Sequence, residues 1–317
     1  MISFVIPVFN EEESLRAFYG ELVRVVPNLD KDHEIIFVDD GSTDGSLEIL
    51  KSFAVKDKNV KVFSFRRNLG KAEALTFGFM KAKGDCIVTL DADLQDQPSE
   101  IHKLLNKSKG GIDVVCGWRK DRKDSHNSVL SSKFFNAFAS MFWGLQLHDY
   151  NCGLKVYTKE AAKSLYLYGG MHRFIPLLAY QEGFSIDEVA IVHEERKFGE
   201  SKYEKGFIKL LKNLPDMLTM LFIAKYSKRP LHFFGVVGGL LLLIGLIIFA
   251  YLGIWWLMGH SIGTRPLFFT SILLILVGFQ IFFTGFLADL MINIAHSKDR
   301  LDQSHARFPL KYTSEKK

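Results

Sequence analysis

Cys86-Ile87-Val88-Thr89-Leu90-Asp91-Ala92-Asp93-Leu94-Gln95 is the stretch on which the reading of this chain turns. Its first five residues are a short, largely apolar run rich in β-branched side chains, the pattern of a buried strand. Two carboxylates follow at once, where a parallel sheet opens its ligand crevice beyond the strand ends. On an extended segment residues two apart point the same way. Asp91 and Asp93 can therefore share one hard divalent cation such as Mg²⁺ or Mn²⁺, which takes a few carboxylates plus the oxygens of a substrate diphosphate. Asp-x-Asp is also common in solvated turns, so the flanking segments have to decide.

Upstream, strand and helix patterns alternate. Ile2 to Pro7 reads as a strand, and Asn10 as the N-cap of a helix whose Leu15, Phe18, Tyr19, Leu22, Val25 and Val26 share an apolar face. Glu34 to Val38 is a second strand, followed by a helix with Leu47, Leu50 and Phe53 inside and a third strand at Val60 to Phe65. A helix from Ala72 to Lys83 leads to the opening strand. This alternation predicts an α/β, doubly wound, mostly parallel sheet. Met1 to Phe9 is too short and lacks the basic start of a secretory leader, so it is read as the first strand.

Polar residues gather where these strands end. Pro7-Val8-Phe9-Asn10-Glu11 follows the first strand, and Asp39-Asp40-Gly41-Ser42-Thr43-Asp44 follows the second. The paired carboxylates there can accept hydrogen bonds from ribose hydroxyls or a base edge, whereas Gly41 to Gly45 read as turn makers. Arg66-Arg67-Asn68-Leu69-Gly70-Lys71 puts three cations at a helix N-terminus beside the same crevice, suited to a diphosphate or to solvent.

The 317 residues carry 40 Lys and Arg against 35 Asp and Glu, and they are unevenly distributed. After a globular mixture up to about residue 200, two apolar stretches run from about Leu231 to Met258 and from about Leu267 to Ile294. Each exceeds the roughly 20 residues that cross a bilayer. The short link from Gly259 to Pro266 forces a hairpin. Its flanks hold Lys225, Lys228 and Arg229 on one side and Lys298, Arg300, Arg307, Lys311, Lys316 and Lys317 on the other. The positive-inside rule then places the large domain in the cytoplasm. The expected division is a cytoplasmic domain over 1–226, a membrane hairpin over 227–296 and a basic tail over 297–317.

Two segments, about 127–147 and 203–225, are amphipathic, with Phe, Trp or Leu on one face and Lys on the other. They are expected to be interfacial helices lying against membrane lipid, the alternative being core helices on the sheet. No basic stripe interleaved with stacking aromatics suggests a nucleic-acid partner. Cys86, Cys116 and Cys152 lack metal-ligand spacing and read as core residues. Gly235 and Gly239 form a small-xxx-small pair that could pack the hairpin, join a second copy into a homo-oligomer, or only relieve crowding.

The motifs already quoted continue with Gly117-Trp118-Arg119, Asp149-Tyr150-Asn151-Cys152-Gly153, His172-Arg173-Phe174-Ile175-Pro176 and Arg196-Lys197-Phe198-Gly199-Glu200-Ser201-Lys202-Tyr203. In this order they resemble the glycosyltransferase family 2 members that load sugars onto polyprenyl phosphates, such as dolichol-phosphate mannose synthases and bactoprenol glucosyltransferases. The resemblance covers essentially the whole chain. It implies a GT-A fold, a UDP- or GDP-sugar donor of glucose, mannose or a related sugar, a polyprenyl phosphate acceptor, and Mg²⁺ or Mn²⁺. Carried over, Asp91, Asp93 and Gln95 face the metal and donor diphosphate. Pro7, Phe9, Glu11, Asp39 and Asp40 hold the nucleoside, with Lys71 and Ser201 also on the donor. Arg119, Arg196 and Lys202 face phosphates. Asp149 is either a base or an orienter of sugar hydroxyls or of a phosphate-binding Arg. Where relatives place an Arg four residues before a Ser, this chain has Ser128 before Ser132, leaving Lys133 or Arg122 to supply the charge.

The chemistry agrees with that reading. Breaking the bond from sugar C1 to the diphosphate develops negative charge on the leaving group, which a metal and cationic side chains stabilise. A phosphate monoester, with a second pKa of about 6, is largely dianionic at neutral pH and needs no strong base. One in-line displacement would invert the anomeric carbon. Two rival readings are a polysaccharide-synthase-like enzyme acting on a glycan hydroxyl and a non-catalytic nucleotide-binding scaffold. The first typically carries Gln-x-x-Arg-Trp and more spans, and this sequence has neither.

Overall fold

Strand β1 (Ile2–Val8) lies inside the sheet because its residues are apolar on both faces, with Phe4, Val5 and Ile6 fully buried. It pairs in parallel with β2 (His33–Asp39) on one side and β4 (Cys86–Thr89) on the other. The computed structural model describes residues 1–30, 32–120, 144–194, 230–263, 265–299 and 310–313. Contacts divide the chain into two units, Met1–Leu214 with Ala306–Lys317, and Pro215–His305.

The first unit is built on an eight-stranded sheet of order β7-β5-β6-β4-β1-β2-β3-β8. Strands β3 (Val60–Phe65), β5 (Val114–Arg119) and β7 (Ile186–Ile191) keep parallel partners, whereas β6 (Lys155–Thr158) runs antiparallel between β4 and β5. The terminal strand β8 (Leu310–Thr313) adds antiparallel to the outer edge of β3, Phe65 pairing with Leu310. The sheet is thus mostly parallel, with two antiparallel insertions that the alternation of patterns did not reveal.

Helices cover both faces: α1 (Glu12–Leu29), α2 (Ser46–Lys56), α3 (Lys71–Lys81), α4 (Ile101–Ser108), α5 (Lys159–Ser164) and α6 (Ile175–Gln181). Helix α1 buries Leu15, Phe18, Leu22 and Val26, each worth roughly 1.5–3 kcal/mol of apolar transfer. Tyr19 stacks on Phe53 at 4.1 Å and donates its hydroxyl to Asp57, joining α1 to α2. Asn10 does not cap α1 as expected. It adopts a left-handed φ of 51° and accepts the Thr43 amide, while the Glu11 and Glu12 amides donate to Ser46 and Asp44. The cap therefore comes from the turn after β2, which ties the ends of β1 and β2 together. Residues 144–147, expected to end a helix, have no regular structure; 127–143 and 203–225 lie outside the described residues.

In the second unit α7 (Pro230–Leu257) and α8 (Pro266–Asp299) pack on each other. Both are long and apolar enough to cross a membrane, and only 11% of each most apolar window is buried, as suits association with lipid. The close approach uses Gly238 and Gly278: a methyl on Gly278 would stand 2.5 Å from the Leu242 amide, and one on Gly238 would stand 2.6 Å from the Phe282 amide. Gly239 faces open space and Gly235 makes only ordinary contacts, so the expected pair is not the one that packs the hairpin. Arg265 stacks over Trp255 at 4.3 Å beside the link.

Helix α3 reaches the sheet through Gly78, where an added methyl would lie 2.2 Å from Val5 Cγ1. Gly78→Ala should destabilise the protein by about 1–3 kcal/mol through overpacking. Adding Val5→Ala should recover part of that loss in thermal unfolding; an additive double variant would show that the contact is not the cause.

Candidate active site

The carboxyl ends of β1, β2, β3 and β4 meet at one edge because the four strands are parallel. Asp39 and Asp40 build this edge from within. Fully buried Asp39 accepts Ser64 Oγ at 2.6 Å and the Ser42 amide at 3.1 Å. Asp40 accepts the Leu69 amide at 2.7 Å and the Gly70 amide at 3.0 Å, so it anchors the loop that begins α3. Burial pushes the Asp40 carboxyl up to about 6 despite those amide bonds. The two loops touch backbone to backbone: Gly41 has φ +71°, and a methyl there would sit 2.4 Å from the Arg67 carbonyl carbon. Arg66 and Arg67 are exposed, while Pro7, Phe9 and Glu11 are half-buried on the β1 side.

Beyond β4 the side chains alternate cleanly. Asp91, Asp93 and Gln95 are half-exposed, whereas Ala92, Leu94 and Asp96 are buried. Asp93 Oδ1 accepts the Gln95 amide at 3.1 Å in a tight turn around Leu94, which holds a left-handed φ of 60° with its side chain buried. For a non-glycine residue that conformation is uncommon, and such strain concentrates at functional sites. Lys71, the first residue of α3, places Nζ 2.5 and 2.7 Å from the two oxygens of Asp91. Gly153 makes room for that carboxylate, since a methyl there would fall 2.5 Å from Asp91 Oδ2.

Arg119 ends β5 and meets Asp149 in a forked pair, Nε to Oδ2 at 2.6 Å and a terminal nitrogen to Oδ1 at 3.1 Å. Both side chains are nearly buried, at 11% and 4% exposure. Burial alone would lower the guanidinium pKa, but the Asp149 pair raises it, so Arg119 stays charged. The Asn151 amide also donates to Asp149 Oδ1, leaving both carboxylate oxygens engaged.

Asp91 also lines a small pocket of mixed character together with Pro7, Lys71, Gly153, Lys155 and His172. Buried Lys155 donates to the Cys152 carbonyl. Burial, reinforced by the Lys71 and Arg173 charges, pushes His172 down to about 3, so it is neutral. Cys116 and Cys152 are buried and Cys86 half-buried, all as free thiols.

The structure therefore brings Asp91, Asp93, Gln95 and Lys71 together and couples Arg119 to Asp149. Arg196, Ser201 and Lys202 lie outside the described residues, as do Arg122, Ser128, Ser132 and Lys133. Sequence reasoning missed Asp96, whose buried carboxylate faces His193 Nδ1 at 3.1 Å across 97 residues of chain. Burial would raise the Asp96 pKa, but the His193 hydrogen bond and the Arg119 charge bring it down to about 2. The only available signal was the two-residue period that turns Asp96 inward.

The profile described as Glycosyl transferase family 2 matches residues 3–166. A dodecaprenyl-phosphate galacturonate synthase of Rhizobium johnstonii is 33% identical over 304 residues, covering 94% of this chain and 89% of its own. An undecaprenyl-phosphate 4-deoxy-4-formamido-L-arabinose transferase of Proteus mirabilis is 35% identical over 291 residues, covering 91% and 87%. Among solved structures, glucosyl-3-phosphoglycerate synthase of Mycobacterium tuberculosis with phosphoglyceric acid superposes with TM-score 0.55 at 20% identity, over 71% of this chain and 79% of that one. The same enzyme with Mn²⁺, UDP-glucose and phosphoglyceric acid gives TM-score 0.54 at 19% identity, over 71% and 79%. The likeness to these structures identifies the sheet unit as a GT-A fold. With the profile spanning half of the chain and full-length relatives that are polyprenyl-phosphate sugar transferases, the chain belongs to glycosyl transferase family 2.

Proposed function

We propose that this protein transfers a sugar from a nucleotide sugar to the phosphate of a polyprenol at the cytoplasmic face of a membrane, inverting the anomeric carbon. The observation that carries the reading is the juxtaposition of the half-exposed Asp91–Asp93 turn with the Lys71 ammonium. A carboxylate pair and an exchangeable cation are what a metal-bound diphosphate requires. The relatives' names supply the acceptor class, a dodecaprenyl or undecaprenyl phosphate. They also add galacturonate and 4-deoxy-4-formamido-L-arabinose to glucose and mannose as sugars to screen on UDP or GDP.

The residues present fit a divalent metal. Asp91 and Asp93 offer hard oxygens on one side of the turn, Gln95 shares their face, and Asp91 already grips a cation with both oxygens. Among the described residues no group of three His, Cys, Asp or Glu side chains forms a closed cage, so the remaining ligands would come from the donor. When bound, Mg²⁺ or Mn²⁺ neutralises charge developing on the leaving diphosphate. Pro7, Phe9 and Glu11 line the nucleoside wall, while Asp39 and Asp40 hold the loops that shape it. Lys71 exchanges Asp91 for diphosphate oxygens. Arg119, with Arg196 and Lys202, receives phosphate charge. Asp149 keeps Arg119 charged and aimed, and it removes no proton because the acceptor phosphate is largely dianionic.

Strands of one sheet come from before and after the two long helices, which supports an even number of crossings between them. That parity supports a hairpin with both outer ends on the catalytic side, and the basic flanks make that side cytoplasmic.

Purified protein with polyprenyl phosphate, Mg²⁺ or Mn²⁺ and radiolabelled donors should place a single sugar on the lipid. Failure of every donor, or formation of a polymer, overturns the proposal. Asp91→Asn and Asp93→Asn should each reduce turnover by about 10²-fold or more with membrane insertion unchanged. Because Lys71 competes for Asp91, Lys71→Met should bind Mn²⁺ more tightly than wild type in the absence of nucleotide, read by electron paramagnetic resonance, while weakening donor binding. Equal Mn²⁺ affinities would reject the exchange. Asp149→Asn should reduce turnover in the wild-type background and add little in Arg119→Met, a non-additivity that a general base would not show.

A further inference from the structure

Asp96 is the first side chain beyond the carboxylate turn that points fully inward, with 4% of its side chain exposed, and its ring partner His193 is 1% exposed. Its carboxylate accepts His193 Nδ1 at 3.1 Å, the Leu154 amide at 3.3 Å and the Cys152 thiol at 3.4 Å. Since the carboxylate can only accept, Nδ1 of His193 carries the hydrogen. The backbone closes at the same place. Asp96 and His193 form an isolated antiparallel bridge, and the Glu194 amide donates to the Gln95 carbonyl at 2.9 Å.

Three segments meet on this one carboxylate. The first is the Asp91–Gln95 turn, the second the Asp149–Leu154 turn that holds Arg119, and the third the pair His193 and Glu194 beyond β7. A buried charge of this kind contributes little net stability over an apolar replacement of the same shape. What a buried carboxylate bonded to three segments does supply is a fixed geometry among them. The Asp91–Gln95 turn, the turn that holds Arg119 and the chain beyond β7 are thus referenced to one buried carboxylate.

We propose that Asp96 and His193 are positioning residues for sugar transfer, fixing the turn that holds the donor diphosphate in register with the turn that holds Arg119 for the acceptor phosphate. The inference rests on the function proposed above, and it adds two residues that no motif singled out. Neither residue touches a reacting atom; the pair acts through Gln95, Leu154 and Glu194.

The test uses the size of the amide side chains. His193→Asn keeps a nitrogen near the position of Nδ1, His193→Gln moves it toward the position of Nε2, and His193→Leu removes it. Since misplacement of about 1 Å costs on the order of 10²-fold in rate, kcat should fall at least about tenfold in the Gln and Leu variants and stay within about threefold of wild type in Asn. Hydrogen exchange at the Glu194 and Leu154 amides in the full-length protein in detergent should accelerate in Gln and Leu and remain slow in Asn. Melting temperatures give the control, because a role in packing alone would penalise the smaller Asn at least as much as Gln. The proposal is overturned if Gln and Asn behave alike in kcat and exchange, or if kcat merely follows the melting temperature. Should the wild type label no lipid, the proposed function fails, and with it the link to transfer; unchanged exchange in Gln would separately reject the buried frame.

Discussion

Parallel pairing of β1 with β2 and with β4 is the constraint on which the site depends. It delivers the ends of these strands to one edge, and with them Asp39, Asp40, Asp91 and Asp93. So many carboxylates in one crevice would repel one another and stay poorly solvated. The fold answers each differently. Asp39 and Asp40 are buried and spend their oxygens on loop amides and Ser64, while Asp91 takes an ammonium. Across the antiparallel insertion of β6, Asp149 takes a guanidinium and Asp96 an imidazole N–H. Stripping one partner from such a buried ion pair typically costs about 3–5 kcal/mol, far more than the net worth of the pair, so these arrangements fix geometry more than they add stability.

Much of the architecture was legible because strands buried on both faces read as uninterrupted apolar runs. Ile2–Val8, His33–Asp39 and Cys86–Thr89 needed no knowledge of their neighbours. The two-residue period likewise put Asp91, Asp93 and Gln95 on one side of their turn. Strand β6 escaped notice, since a four-residue antiparallel insertion after an irregular segment has no periodicity of its own. Asn10 misled for a clear reason: its amide suits an N-cap, but Asn also tolerates a left-handed backbone, and here it bonds to the turn after β2 instead. In the hairpin, spacing flagged Gly235 and Gly239, yet which helix face meets the partner is decided by packing, and that face carries Gly238.

The acidic residues show the same limit at the site. A sequence reveals where carboxylates are, not whether solvent, a ligand or the protein itself will use them. Asp39 and Asp40 read in the sequence as groups for a ribose or a base edge, and the fold shows in addition that they are buried and bonded to the loops around them. Asp149 reads in the sequence as a base or an orienter, and only the fold shows Arg119 and the Asn151 amide on its oxygens. The Asp96–His193 contact joins positions 97 residues apart, beyond the reach of any local pattern.

The cations divide into fixed and exchangeable ones, and that division suits transfer between two phosphates. Arg119 is buried and forked onto Asp149, so it keeps its charge and direction whatever occupies the crevice. Lys71 has 28% of its side chain exposed and rides on a flexible stem, so it can leave Asp91 at little structural cost. On the proposed reaction a ligand that arrives with its own negative charge gives Lys71 a second partner and frees Asp91 for a metal in the same event. Metal and donor would then favour each other's binding, since each removes a contact that opposes the other. On the same proposal the fixed cation would serve the opposite need: an acceptor phosphate must be held still and close to the sugar carbon, and a guanidinium that cannot move is better suited to that than one that can.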